Sequence, residues 1–169
     1  MMILLTGGSA CGKSTYAELL ATRAQMPRYY IAAMRPYGDE SLAKIARHRR
    51  MRQDKGFATI ERYTDLEHLQ LPARGTVLLE CMSNLTANEI FSPEGAGKGT
   101  YEAVCRGLLR LKEHADHVCV VTNEIFSDGI SYDMETQNYQ RVLGKLNAFL
   151  AEISDACYEV VYGIPLRLR

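Results

Sequence analysis

The chain has 169 residues, 47% of them hydrophobic, and its 20 basic side chains are balanced by 20 acidic ones. A chain of this length and composition buries enough surface to fold without disulfides or metals, and we expect residues 1–169 to form a single domain. The absence of a net basic charge argues against nucleic acid or anionic lipid as a partner.

Cysteine usage and hydropathy both indicate a soluble protein of a reducing compartment. The five cysteines are widely spaced and form no C-x-x-C pair, so neither a disulfide framework nor a zinc site is indicated. The apolar run from Met2 to Leu5 is too short for a signal peptide and has no basic flank, and no later run is long enough to span a membrane. We therefore expect a cytoplasmic protein without a membrane span.

Short apolar runs alternate with segments of helical spacing along the chain. The predicted strands are 2–6, 29–33, 76–81, 117–122 and 158–162, and the predicted helices are 13–24, 39–51, 101–115 and about 135–153. Such alternation indicates an α/β fold in which helices flank a mostly parallel sheet. The polar, glycine-rich segment 91–100 is predicted to be a connecting loop.

The first strand leads directly into a phosphate-loop motif. The motif G-x-x-x-x-G-K-[ST] is matched by Gly7, Gly8, Ser9, Ala10, Cys11, Gly12, Lys13 and Ser14. The glycines allow the backbone to approach a polyphosphate, and the following helix directs free N–H groups at the anion. Lys13 is expected to reach the terminal phosphates and Ser14 to offer its hydroxyl to Mg²⁺. The alternative is a tight glycine turn that binds no ligand.

Polar side chains follow two further predicted strands. Glu80 ends the apolar run of strand 76–81, and Asn123 and Glu124 follow strand 117–122. In a parallel sheet these carboxyl ends face the ligand crevice, so Glu80 is expected near the Mg²⁺ held by Ser14. Two structural alternatives remain open: Glu80 could cap the next helix, and Asn123 and Glu124 could close a turn instead of binding substrate.

The segment 39–52 has the most uneven charge in the chain. A helix is predicted here, with Leu42, Ile45 and Met51 as its apolar stripe. His48 stands among four arginines, namely Arg47, Arg49, Arg50 and Arg52. An imidazole that attacks an α-phosphorus, with guanidinium groups holding the phosphate oxygens, would suit nucleotidyl transfer. A solvated basic helix is the alternative.

Several ordered motifs together resemble a known family. They are ILLTGGSACGKS (3–14), KIARHR (44–49), LLECMSNLTANEIF (78–91) and VTNE (121–124). Across nearly its whole length, the chain resembles the bifunctional adenosylcobinamide kinases and adenosylcobinamide-phosphate guanylyltransferases of cobalamin assembly. It departs from the usual family pattern at 125–131, where Ile-Phe-Ser-Asp-Gly-Ile-Ser stands in place of the family's Val-Gly-x-Gly-Ile-Val-Pro.

The resemblance implies a RecA-like phosphate-loop fold and two successive reactions. Adenosylcobinamide would be phosphorylated by ATP or GTP with Mg²⁺, and GMP would then pass from GTP through a guanylylated His48 to give adenosylcobinamide-GDP. From the motifs and the resemblance together, the expected site residues are His48, Lys13 and Glu80 for catalysis, the phosphate loop with Arg49, Arg52 and Glu61 for nucleotides, Asn123 and Glu124 for the substrate, and Ser14 and Glu80 for the metal. A homotrimer is also implied. The competing hypotheses are a small-molecule kinase that lacks guanylyltransferase activity and a non-catalytic, nucleotide-gated binding module.

Overall fold

A single sheet organises the fold. Within residues 1–126 and 129–169, which a computed structural model describes, seven strands pair in the order β3-β2-β4-β5-β1-β6-β7. The strands are β1 (Met2–Thr6), β2 (Arg28–Ala32), β3 (Phe57–Glu61), β4 (Thr76–Leu79), β5 (His117–Val121), β6 (Ala156–Val161) and β7 (Ile164–Arg167). The first six run parallel and β7 is antiparallel to β6. The prediction of a mostly parallel α/β sheet is therefore confirmed.

Helices cover both faces of the sheet. They are α1 (Lys13–Arg23), α2 (Gly38–Arg52), α3 (Met82–Phe91), α4 (Thr100–His114) and α5 (Met134–Ile153). Side chains of β1 alternate between the two faces: Met2 and Leu4 pack in the core beneath α3, α4 and α5, whereas Ile3 and Leu5 pack beneath α1. Burial on both faces explains why the strand is almost uniformly apolar. None of the described helices is long and apolar enough to cross a membrane.

The predicted element bounds agree with the structure to within a few residues. The largest differences are that β4 ends at Leu79, before Glu80 and Cys81, and that β6 begins at Ala156 and ends before Tyr162. The expected connection 91–100 contains a short 3-10 turn at Gly97–Gly99. Edge strands β3 and β7 were missed because both are largely exposed and lack the apolar run of a buried strand.

Helix α2 turns a face of mixed polar and apolar residues toward the sheet. The least exposed positions of the helix include Ser41, Ile45, His48 and Arg52, whose spacings of four, three and four residues define one helical face. The expected apolar stripe is incomplete, because Leu42 is 50% exposed. Because His48 lies on this inward face, the helix directs it at the carboxyl ends of the central strands.

Candidate active site

The loop between β1 and α1 has the backbone geometry of an anion cradle. Gly7 and Gly12 both adopt positive φ, at 146° and 98°. A Cβ on Gly7 would lie 2.6 Å from the carbonyl oxygen of Val160, so only glycine fits there. Lys13 is buried, and its Nζ donates a hydrogen bond of 2.7 Å to the carbonyl of Gly8. Burial lowers the pKa of the Lys13 ammonium. A phosphate bound beside Lys13 would therefore stabilise its positive charge.

A cavity of about 340 Å³ opens beside this loop. Its wall includes residues 9–15 of the loop and α1, Lys44, Arg47 and His48 of α2, and Glu80, Asn84 and Asn123 from the strand ends. The cations Lys13, Lys44 and Arg47 thus share one cavity. Its volume lies within the range of small-molecule sites, and its cationic lining suits a nucleotide polyphosphate.

His48 is held by two groups at its Nδ1 atom. This nitrogen lies 2.9 Å from Oε1 of Glu80 and 3.0 Å from the hydroxyl of Tyr30. Burial raises the pKa of Glu80, but hydrogen bonds from His48 and Tyr30 outweigh burial and hold that pKa below its usual value. Because an ionised carboxylate only accepts hydrogen bonds, we assign the proton to Nδ1. The lone pair of the neutral imidazole is then on Nε2.

Glu80 is fixed from its other side by the backbone. Its Oε2 accepts hydrogen bonds from the N–H groups of Ala33 at 3.2 Å and Met34 at 3.4 Å. The side chain is only 4% exposed. The alternative that Glu80 caps the next helix is wrong, because α3 begins after Cys81 without a side-chain cap. Glu80 instead orients the histidine.

The possible metal ligands are few. Ser14 and Glu80 line the same cavities, but both carboxylate oxygens of Glu80 already accept hydrogen bonds. Among the described residues, no group of three or more His, Cys, Asp and Glu side chains could hold a metal ion. A Mg²⁺ ion here would take few ligands from the protein, with water or phosphate oxygens completing its shell, which is its usual arrangement at phosphate sites.

A second, smaller cavity of about 150 Å³ lies on the other side of His48. It contains the other predicted nucleotide ligands, Arg49, Arg52 and Glu61. Arg49 pairs with Glu61 at 3.3 Å, and the guanidinium carbon of Arg52 lies 3.3 Å from the ring centroid of Tyr30. Arg52 is 7% exposed, and its Nη1 has no hydrogen-bond partner. The predicted nucleotide ligands thus divide between two cavities, and His48 and Glu80 line both.

The two predicted substrate ligands differ in placement. Asn123 lines the larger cavity, where its Nδ2 donates to the hydroxyl of Ser83 at 2.9 Å. Glu124 is exposed, and its Oε1 accepts a hydrogen bond of 2.9 Å from the N–H of Phe126. Glu124 therefore takes part in a local turn, and its role toward substrate stays a prediction. Two residues of the altered segment 125–131, Ser127 and Asp128, lie outside the described residues.

Sequence reasoning missed Tyr30 as a site residue. Its phenol is buried and its pKa is raised, chiefly by burial and by the neighbouring charge of Glu80. The run of strand residues around Tyr30 gave no sign of this role, since only the pairing of β2 with β4 brings the ring near Glu80. Lys44 could have been found, because it lies four residues before His48 on the same helical face.

The fold and the site together define the class of nucleotide-binding proteins that carry a phosphate loop on a parallel sheet. The family model for cobinamide kinase / cobinamide phosphate guanyltransferase matches residues 3–168, and the chain belongs to this family. The resemblance drawn from the sequence motifs is thus confirmed.

Individual relatives agree with the family match. The chain is 29% identical to the bifunctional adenosylcobalamin biosynthesis protein CobU of Escherichia coli (strain K12) over 184 aligned positions, with 100% of both chains covered. It is also 29% identical to the protein of the same name from Salmonella typhimurium, again over 100% of both chains. Among solved structures, an ATPase domain superposes with a TM-score of 0.53 at 9% identity, covering 94% of this chain and 68% of that one. That likeness supports the RecA-like fold alone.

Proposed function

We propose that this protein is a bifunctional enzyme of cobalamin biosynthesis that phosphorylates adenosylcobinamide and then converts adenosylcobinamide phosphate to adenosylcobinamide-GDP. The observation that carries the proposal is the position of His48, whose Nδ1 is hydrogen-bonded to Glu80 where the phosphate-loop cavity meets the second cavity. Membership of the cobinamide kinase / cobinamide phosphate guanyltransferase family supports both activities, as do the names of the two full-length relatives.

The phosphate loop would perform the first reaction. The hydroxyl oxygen of the substrate attacks the γ-phosphorus of ATP or GTP, the bond from that phosphorus to the bridging oxygen breaks, and the nucleoside diphosphate leaves with the electron pair. The hydroxyl proton is released to water. Residues 7–14 hold the phosphates through backbone N–H groups, and Lys13 follows the transferring group with its charge. The main contribution of these residues is alignment and electrostatic stabilisation.

A magnesium ion would bind at this site together with the nucleotide. Bound there, the ion would neutralise charge on the β- and γ-phosphate oxygens. Ser14 would be its direct protein ligand. The two oxygens of Glu80 are already engaged by His48 and by the backbone, so Glu80 would not coordinate the ion directly. It would instead accept a hydrogen bond from a water bound to the ion.

His48 would perform the second reaction as a nucleophile. Its Nε2 lone pair forms a bond to the α-phosphorus of GTP, the bond from that phosphorus to the bridging oxygen breaks, and pyrophosphate leaves with the electron pair. A phosphate oxygen of the phosphorylated corrinoid then attacks the same phosphorus, and the P–N bond breaks. The imidazole is thereby regenerated and adenosylcobinamide-GDP is released.

Several neighbours support this second reaction. Glu80 and Tyr30 keep the proton on Nδ1 and stabilise positive charge on the ring as Nε2 reacts, which is how a carboxylate assists a histidine in acyl transfer. Arg49, Arg52 and Glu61 would contact GTP in the smaller cavity. The unpartnered, buried Nη1 of Arg52 suits a phosphate oxygen.

The remaining parts of the proposal concern substrate and assembly. Asn123 and Glu124 would contact the corrinoid. Residues 1–169 would act as one domain in a homotrimer in the cytoplasm, which suits the five free thiols. Neither nucleic acid nor a membrane is expected as a partner.

The test separates the two reactions on one chain. The protein is incubated with adenosylcobinamide, Mg²⁺ and GTP, and the products are identified by mass. His48→Asn should still form adenosylcobinamide phosphate but no adenosylcobinamide-GDP. The matched control is His114→Asn, at an exposed position on α4, which should form both products. Formation of adenosylcobinamide-GDP by His48→Asn at the parent rate would show that guanylyl transfer does not use this histidine as a nucleophile.

A further inference from the structure

The phosphate loop has a second open side that the two reactions leave unused. A cleft of about 600 Å³ lies between Gly8–Gly12 and residues 159–163 of the β6–β7 hairpin. Residues 9–12 line both this cleft and the cavity that contains His48. The loop therefore stands between two open spaces, and a nucleotide whose phosphates occupy the loop can extend its base into only one of them.

The tip of the β6–β7 hairpin is hydrogen-bonded to the phosphate loop. The N–H of Gly163 donates a hydrogen bond of 2.8 Å to the carbonyl of Cys11. A Cβ on Gly12 would lie 3.1 Å from the Cα of Gly163, so the two backbones are almost in contact. These contacts fix the position of the cleft wall relative to the phosphate-binding groups.

Tyr162 occupies an unusual position at this tip. It adopts a positive φ of 50°, which is uncommon for a non-glycine residue, and Gly163 follows with φ of 80°. Two successive positive φ values are typical of the tight turns that join antiparallel strands. Tyr162 is 94% exposed although it lines the cleft. An aromatic ring held open to solvent beside an anion cradle is a suitable platform for a planar ligand.

We propose that Tyr162 stacks on the purine base of the nucleotide whose phosphates lie in the phosphate loop. The proposal rests on the proposed function only in that this loop binds a nucleoside triphosphate. The cavity on the opposite side contains His48, Glu80 and the cations of α2, and the reacting phosphate and its acceptor need that space. The base would then lie in the cleft beside the hairpin, whose wall contains the aromatic side chain of Tyr162.

The chemistry of the cleft suggests what is recognised there. Stacking on an aromatic ring tolerates any base, because every base has a π face. The carboxylate of Glu159, on the same wall, can accept hydrogen bonds from ribose hydroxyls. This subsite therefore takes a ribonucleoside with little preference between adenine and guanine. Tyr162 is a binding residue for the phosphate donor and has no part in the chemistry at His48.

The test compares ligands with and without a base. Affinities of the full-length protein for ATP, GTP and inorganic tripolyphosphate are measured by calorimetry in the parent, Tyr162→Ala and Tyr162→Phe, each in the His48→Asn background so that no GMP is transferred. Tyr162→Ala should weaken ATP and GTP alike, on the order of 5- to 150-fold, the range expected when a base loses an aromatic stacking partner. Tyr162→Phe should retain parent affinity. Tripolyphosphate should bind equally to all three.

Two results would overturn this proposal. One is ATP affinity within about twofold of the parent in Tyr162→Ala. The other is an equal loss of ATP and tripolyphosphate affinity accompanied by a change of oligomeric state in sedimentation, which would make Tyr162 a contact between copies of the chain. Neither result bears on guanylyl transfer at His48, so failure here is distinguishable from failure of the proposed function. Binding of tripolyphosphate by the parent separately reports whether the loop accepts phosphates.

Discussion

Replacing Glu80 with glutamine tests whether this carboxylate sets the reactive form of His48. The change keeps the size of the side chain but replaces two accepting oxygens by one oxygen and one NH₂ group. In the parent, Oε2 faces the N–H groups of Ala33 and Met34, and Oε1 faces Nδ1 of His48. The amide oxygen must remain on the two backbone donors, so its NH₂ group is turned toward His48.

The consequence for His48 is the wrong tautomer. An NH₂ donor beside Nδ1 favours a lone pair on that nitrogen and moves the proton to Nε2, which can no longer attack phosphorus. The same carboxylate-to-amide change beside a hydrolase histidine lowers kcat by about 10⁴-fold, and we expect guanylylation to fall by that order. Losing hydrogen bonds to a charged group should also lower the free energy of unfolding by about 1.5–3 kcal/mol.

The assay is the single-turnover rate of protein-bound GMP formation from GTP, with the free energy of unfolding measured in denaturant. Glu113→Gln is the matched control, because Glu113 is 78% exposed on α4, outside the site; it should match the parent. Phosphorylation of adenosylcobinamide by Glu80→Gln should fall far less than guanylylation, with a weakened Mg²⁺ dependence. Guanylylation within about threefold of the parent would refute the tautomer argument.

Three further predictions concern the phosphate loop, the packing and acid stability. Lys13→Ala should reduce phosphoryl transfer by about 10²–10³-fold in a product assay, the usual cost of removing a transition-state donor, and a loss below about threefold would make the loop a structural turn. Gly107→Ala should lower the free energy of unfolding by about 1–3 kcal/mol, because its Cβ would lie 2.8 Å from the Cβ of Leu66. Gly144→Ala, with no contact nearer than 3.7 Å, should instead raise it by up to about 1 kcal/mol in the same denaturant titration; equal effects would contradict the packing argument. The hydrogen bond from the Met2 N–H lowers the pKa of Asp155, so this stabilisation is complete above about pH 4 and is lost as pH falls through the lowered value. Asp155→Asn should therefore be less stable than the parent at about pH 6 and equally stable near pH 2, and a constant difference across pH would contradict this reasoning.

The sequence was most informative where one residue type serves one local purpose. Glycine at positions 7 and 12, followed by Lys13 and Ser14, predicts the phosphate loop, because positive φ and a close backbone approach leave little alternative. The buried strands were equally clear, since a strand covered on both faces must be apolar throughout. These local requirements can be read from a few consecutive residues.

What the sequence did not reveal depends on contacts between distant segments. Tyr30, His48 and Glu80 are separated by 18 or more residues, and they meet only because β2 pairs with β4 while α2 crosses above. The expected role of Glu80 toward a metal stays a prediction, whereas its contact with His48 could not be read from the sequence. Strands β3 and β7 were missed because an edge strand has no need to be apolar. Tyr162 gave no signal in the sequence, because its exposure and positive φ emerge only in the hairpin.

Covalent guanylylation of His48 is tested by mass spectrometry of the intact protein. The parent is incubated with Mg²⁺ and GTP without corrinoid, quenched at alkaline pH to protect a P–N bond, and then digested to locate the modification. We expect an added mass of one GMP on the peptide that contains His48, its removal on addition of adenosylcobinamide phosphate, and no adduct in His48→Asn. A parent that forms adenosylcobinamide-GDP without acquiring this adduct, or that carries GMP on another residue, would rule out a covalent intermediate at His48.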